Sequence, residues 1–408
     1  MRQLPSDLRE TQAAFFSSPE FRLLAECAYY IPERWLQQRA RIGELAESVN
    51  GEMFLQLVKR HRVPALAGMT LARASNELNL QLPFLGILRR WENENRKRNL
   101  VLHLELHRLQ RSFNEAGIAM VALKGSELSN RLYGDIGLRH VLDIDIVVAP
   151  GDMARAWSLM SQLGYRTTPA HNKRTEELIR RIFREIECIE PTRGIQVDLH
   201  WRFEEVRSAV FEEIWWREIR ASDLQRRHCL ELLYLCQHGA KHGWIRLKWL
   251  GDVRILFEHS DAQDWIVLLE LAELLHLEET IAQTLLLLEW LFDFELGPEA
   301  RRIVSAHRSF AERSAKVALQ CLQLPAIESA TESSMDLLAA IRCVARSINI
   351  ALQPPQRHSR LQRARYVALL LSVRSADVEY FPLPIYLAWL YPLVRLISVL
   401  YRRVLVSR

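Results

Sequence analysis

Val141-Leu142-Asp143-Ile144-Asp145-Ile146-Val147-Val148 alternates two carboxylates with bulky apolar residues. Residues two apart on a strand share a face, so the alternation predicts a strand with Asp143 and Asp145 on one side and Ile144 and Ile146 on the other. Two neighbouring carboxylates raise each other's pKa unless a cation lies between them. Oxygen donors on a rigid strand suit Mg²⁺ or Mn²⁺, which keep several waters and take substrate phosphates as further ligands. The stretch points to phosphoryl or nucleotidyl transfer.

Upstream, Gly117-Ile118-Ala119-Met120-Val121-Ala122-Leu123 is an apolar run of strand length, closed by Lys124-Gly125-Ser126. Glu127 to Leu132 then reads as one or two helical turns. A strand, a Gly-Ser turn and a helix start leave backbone N–H groups where an anion can sit. Gly125 lets the backbone approach a phosphate, and the Ser126 hydroxyl can cap the helix or donate to the phosphate. Downstream, Gly194-Ile195-Gln196-Val197-Asp198-Leu199-His200-Trp201 alternates like a strand after the turn Pro191-Thr192-Arg193-Gly194. Val197 and Leu199 share one face, Asp198 and His200 the other. A third carboxylate there can bridge to a second metal ion and orient or deprotonate an acceptor hydroxyl.

Gly-Ser, then Asp-x-Asp, then a distant strand Asp resembles the nucleotidyltransferase superfamily that includes DNA polymerase beta and the kanamycin nucleotidyltransferases. Within it, the chain is similar to the bacterial uncharacterised nucleotidyltransferases. The matching residues are Lys124-Gly125, Tyr133-Gly134-Asp135, Arg139, Asp143-Ile144-Asp145 and Val197-Asp198-Leu199-His200-Trp201. Gln237 to Trp244, Arg246-Leu247-Lys248-Trp249-Leu250 with Asp252, and Arg60-His61-Arg62-Val63-Pro64 also fit. The resemblance implies an α+β fold, with a small mixed-sheet nucleotidyltransferase core flanked in sequence by helical regions. It implies a nucleotidyltransferase that moves NMP from an NTP to an acceptor hydroxyl with release of pyrophosphate. Asp143, Asp145 and Asp198 would be both the catalytic and the metal-binding residues, and Lys124, Gly125 and Ser126 would meet the phosphates. It also implies that Lys241, Arg246 or Lys248 reaches the triphosphate, with Asp252 holding one of them. Arg139 either neutralises phosphate charge or pairs with Asp135. The acceptor and the base are not legible.

The 408 residues, 49% hydrophobic and 25% charged, are ordinary for a globular protein with a large core. The first residues carry no apolar run of the secretory kind. Six cysteines without CxxC spacing read as free thiols of a reducing cytoplasm. The net charge of +5 is uneven: from Ala351 onward nine arginines face only Asp377 and Glu379. The rest of the chain is slightly acidic, so there is no strong nucleic-acid signal.

Helical spacing fills residues 1–110, short strands and helices alternate over 111–205, and helical spacing returns over 206–350, with Leu285-Leu286-Leu287-Leu288 its most apolar stretch. Helix stops are expected at Val63-Pro64 and before Gly117, and a helix over Asp152 to Leu163 closed by Gly164. Gln353-Pro354-Pro355-Gln356 reads as a linker into a basic, amphipathic tail, 351–408. Within it Pro382 to Tyr401 is apolar enough to consider for a bilayer, but Pro384, Pro392 and Arg395 interrupt it. The tail reads instead as a docking helix, on the protein body or on a membrane surface. The expected location is therefore cytoplasmic, with membrane association through the tail as the variant.

His238 and His242 stand four apart, as in a zinc pair, but no HExxH glutamate follows and no third ligand is near in sequence. His200 reads as a structural hydrogen-bonding residue. The alternative to an enzyme is a non-catalytic nucleotide-binding or assembly protein using the same cleft, and the third aspartate, which a binder has little need of, argues against it.

Overall fold

The computed structural model describes residues 4–323, apart from 6–7, 9, 169–175, 178, 181–182, 204–208 and 222, together with residue 390. The linker at 353–356 and all of the tail except Leu390 lie outside the described residues. In chain order the elements begin with helices α1 (Glu10–Ser17), α2 (Pro19–Glu26), α3 (Trp35–Ala46), α4 (Gly51–His61), α5 (Pro64–Leu78) and α6 (Leu85–Glu115). Strand β1 (Met120–Ala122), helix α7 (Ser126–Tyr133), β2 (Ile144–Val148), α8 (Met153–Gln162), β3 (Arg166–Thr168), β4 (Glu185–Glu190) and β5 (Ile195–His200) follow. The rest is helical: α9 (Ala209–Ala221), α10 (Leu224–Lys241), α11 (Leu247–Glu258), α12 (Ala262–Leu275), α13 (Glu278–Phe292), α14 (Pro298–Ala306) and α15 (Arg308–Gln323). The protein is thus α+β, a mixed five-stranded sheet with helical stretches before and after it in sequence.

The described residues divide into two compact units. The helical unit gathers Met1–His103, Gly125–Val141 and Glu218–Ala326; the sheet unit gathers Leu104–Lys124 and Leu142–Arg217. Helices from before and after the sheet segment in sequence pack together in the helical unit, α2 on α13 and α1 on α15. Local chemistry sets their ends. Asn50 caps α4 by accepting from Met53 N–H, Arg62 closes it in the left-handed conformation, and Pro64 opens α5, where a missing N–H costs nothing. Leu285 to Leu288 on α13 are all buried, each contributing about 2 kcal/mol by removal from water. No helix among the described residues is long and apolar enough to cross a membrane.

The sheet runs β1-β2-β5-β4-β3. β1 lies antiparallel to β2, β2 parallel to β5, and β5, β4 and β3 follow antiparallel. On one face Ile144, Ile146, Val148, Val197, Leu199, Ile186 and Cys188 are buried, which fixes the register, because a slip of one residue would turn this set outward. Trp157 on α8 is buried and donates from Nε1 to Thr167 Oγ1 on β3 at 2.9 Å. Strands β3 and β4 were not individually legible: Glu185 to Glu190 alternates, but its outward glutamates and the half-exposed Ile189 give it a weak apolar signal.

Two glycines of the family-like segment are required by close approach. A Cβ on Gly239 would stand 2.2 Å from the buried Trp244 ring, and one on Gly251 would stand 2.0 Å from the Ala28 carbonyl oxygen. The second clash is with backbone, which cannot rotate away. Gly251→Ala is therefore expected to lower the unfolding free energy by about 3 kcal/mol, whereas Gly151→Ala, which meets nothing within 4 Å, should change it by less than about 0.5 kcal/mol in urea unfolding. Equal effects would refute the packing described around Gly251.

Candidate active site in the sheet unit

The site grows from strand register. Asp145 on β2 is directly paired with Asp198 on β5, and His200 lies two residues further along β5 on the same face. Glu185 on β4 is paired across with His200. Directly opposed side chains on one face lie within reach of each other. One ligand atom each from Asp145, Asp198 and His200 falls within 4.8 Å of the others.

β1 adds a cation. Its antiparallel pairing with β2 continues through Leu123 N–H, which donates to the Asp145 carbonyl at 3.1 Å, and the next residue, Lys124, sets Nζ 3.1 Å from Asp145 Oδ1. His200 Nε2 approaches the same oxygen at 3.2 Å, while its Nδ1 lies 2.9 Å from Glu185 Oε2. Arg184 donates to the other Glu185 oxygen at 2.9 Å. The result is a line of alternating charge across three strands: Arg184, Glu185, His200, Asp145 and Lys124.

Burial works to raise the Asp145 pKa, but Lys124 and His200 outweigh it and hold the carboxyl well below the usual range. Burial also works to lower His200, and Glu185 and Asp145 raise it nonetheless. For Asp198 the balance goes the other way, although the His200 charge opposes the shift. Burial first, then the Asp145 charge, push it up to about 7; Gln196 Nε2, donating to Oδ1 at 3.0 Å, opposes the shift, and Asp143 adds to it.

The remaining sequence candidates sort as follows. Asp143 stands in the bend just before β2 rather than within it and acts on Asp198 through its charge. Gly125, Ser126, Arg139, Lys241 and Lys248 belong to the helical unit. Gly125 is the N-cap of α7 at φ +93°, a conformation that favours glycine, so Ser126 is the first helical residue and its hydroxyl does not cap; its Oγ lies 3.1 Å from His103 Nδ1. Arg139 donates to Asp252 Oδ2 at 2.9 Å in a buried pair, while Asp135 pairs with Arg96. Lys248 Nζ donates to the His140 carbonyl at 2.9 Å, and Lys241 stands in the last turn of α10 with a buried Nζ. The rings of His238 and His242 lie 4.7 Å apart, tilted by 57°, beside Trp249. Among the described residues, the His/Cys/Asp/Glu cluster placed for a metal ion is Asp145, Asp198 and His200, not that pair.

A family model described as an uncharacterised nucleotidyltransferase matches residues 47–293, so the chain belongs to that family. No curated protein and no solved structure matches it.

The donor set fits a divalent cation. Asp145 Oδ2 is buried without a hydrogen-bond partner, although Oδ1 carries two, and the neighbouring Asp198 is raised first by burial and then by the Asp145 charge, both of which a bound cation would offset. Sequence reading identified Lys124, Asp145 and Asp198 and noted the facing of His200, but passed over Glu185. Its signal was the alternation of Glu185-Ile186-Glu187-Cys188 beside a matching strand.

The raised Asp198 carries a stability consequence. The unfolded carboxyl ionises near 3.8 and the folded one near 7, so the folded state holds the extra proton between these values and stability falls as pH rises from about 4 to 7. In metal-free buffer, Asp198→Asn is expected to raise the unfolding free energy at pH 8 by about 2–4 kcal/mol relative to wild type, with little gain at pH 4. Denaturant melts at the two pH values measure it; equal effects at both would contradict the placement of Asp198 against Asp145.

Proposed function

We propose that this chain is a metal-dependent nucleotidyltransferase, which moves an NMP from an NTP to an acceptor hydroxyl and releases pyrophosphate. The observation that carries the reading is the register pairing of Asp145 with Asp198, with Asp145 Oδ1 held by Lys124 and Oδ2 buried without a hydrogen-bond partner. Asp143, Asp145 and Asp198 are the residues that would hold Mg²⁺ or Mn²⁺, which when bound supplies charge neutralisation and polarises the α-phosphate.

The chain's own groups do the rest. Asp198 orients the acceptor hydroxyl and takes its proton, a role to which a carboxyl held near neutrality is suited. The acceptor oxygen forms a bond to the α-phosphorus as the bond to the bridging oxygen breaks, and pyrophosphate leaves with that electron pair. The Lys124 ammonium, paired with Asp145, is the group that passes to the phosphate oxygens. Gly125 and Ser126, next in the chain, offer backbone N–H groups at the start of α7. Arg139, Lys241 and Lys248 also serve the nucleotide, Arg139 and Lys248 through the loop 135–141 that they brace. The acceptor is a hydroxyl-bearing small molecule, glycan precursor, peptide or protein side chain.

The test is incubation of the purified protein with each of the four NTPs and Mg²⁺ or Mn²⁺, following pyrophosphate release and self-labelling. Cation-dependent release is expected, abolished in Asp145→Asn and Asp198→Asn and lowered about 10²-fold in Lys124→Ala. Wild-type turnover in Asp198→Asn would remove that residue from the reaction. NTP binding without metal, unaffected by either substitution, would leave a non-catalytic binding protein.

A further inference from the structure

Glu185 lies outside every motif that points to the site, yet it touches the site's centre. We infer that the metal site is a mixed nitrogen–oxygen site in which His200 Nε2 is a ligand beside Asp145 and Asp198, and that Glu185 is the positioning residue that presents it. The inference rests on the metal-dependent reading above and deepens it.

Three observations converge. Glu185 and His200 are paired positions of antiparallel strands, and Asp145 and Asp198 are paired positions of parallel ones, so all four side chains project from one face of a sheet whose register is fixed by its buried opposite face. The imidazole is held at both ends: Nδ1 lies 2.9 Å from Glu185 Oε2, and Glu185 is itself fixed at Oε1 by Arg184 at 2.9 Å. Without an ion Nε2 makes its hydrogen bond to Asp145 Oδ1; with a cation bound, a ring that keeps its hydrogen on Nδ1, beside the Glu185 carboxylate, would turn the Nε2 lone pair to the ion, the carboxylate–histidine–metal arrangement. Finally, ligand atoms of Asp145, Asp198 and His200 already lie within 4.8 Å of one another, close to the separation across a shell of ligands about 2.1 Å from a shared ion. Asp145 Oδ1, 3.2 Å from His200 Nε2, is positioned to share that ion.

A purely carboxylate site on a strand selects Mg²⁺ with Mn²⁺ as its substitute. An imidazole donor turns the preference toward Mn²⁺ and the later divalent ions of the first transition row, which accept nitrogen more readily than Mg²⁺ does. Glu185 enforces this choice without touching the ion.

The experiment is Mn²⁺ titration of the full chain without nucleotide, followed by pulsed electron paramagnetic resonance for nitrogen coupling. Natural-abundance protein is compared with protein carrying ¹⁵N-labelled histidine. The expected result is a histidine nitrogen coupling in the wild type that changes with the label and is absent in His200→Gln. Glu185→Gln should bind Mn²⁺ about 10–100-fold more weakly, and Mg²⁺ should displace Mn²⁺ poorly. Bound Mn²⁺ with no histidine coupling would overturn the inference while leaving a carboxylate metal site standing. Coupling that persists in His200→Gln, or unchanged Mn²⁺ affinity in Glu185→Gln, would overturn the roles given to those residues. Failure of Mn²⁺ to bind at all would overturn both this inference and the metal-dependent reading. The wild-type spectrum decides the histidine question even where a variant fails to fold.

Discussion

Asp145 and Asp198 face each other from paired positions on adjacent parallel strands, a placement that sets like charges together. The arrangement persists because the opposite face of the same strands is a continuous apolar surface, with Ile144, Ile146, Val197 and Leu199 buried beneath it. Slipping the register to separate the carboxylates would expose that surface, at about 2 kcal/mol for each large side chain. Repulsion is offset on one side only: Asp145 is flanked by Lys124 and His200, whereas Asp198 is left raised. A pair of carboxyls driven to opposite protonation behaviour by their surroundings is how a site separates charge stabilisation from proton transfer.

The family-like segments that do not belong to the sheet unit have a mechanical explanation of their own. Arg60 donates to the carbonyls of Ile245 and Cys321, Arg246 donates back to the Arg60 carbonyl, and Leu247 N–H donates to the buried, neutral His61. Asp252 accepts from Arg139 and Tyr133, and the Arg139 carbonyl accepts from both Asn95 and Asn99. These bonds end mostly on backbone atoms or buried charge, so they fix the course of the chain around 135–141 and 242–252. Residues that look in sequence like phosphate ligands thus form part of the frame of the helical unit.

The sequence carried the parts of this account that are local. Alternation placed β2 and β5, Val63-Pro64 and Gly117 marked helix limits, and the carboxylate on each of these two strands was visible from its facing. The strand reading extended too far upstream: Asp143 falls in the bend before β2, because pairing begins at Ile144. Arg139 looked equally suited to Asp135 or a phosphate, and the choice of Asp252 depends on α11, far along the chain. The role of Glu185, unlike the alternation of its strand, was hidden for the same reason. A glutamate on a polar strand says nothing until the antiparallel register sets it opposite His200.

The most direct measurement of the central claim is an anomalous-diffraction map of crystals of the full chain soaked in Mn²⁺. The account predicts a peak between the Asp145 and Asp198 carboxylates, within bonding distance of Asp145 Oδ2, with Lys124 Nζ withdrawn from Oδ1. Peaks only elsewhere, with Lys124 still paired to Asp145, would contradict it.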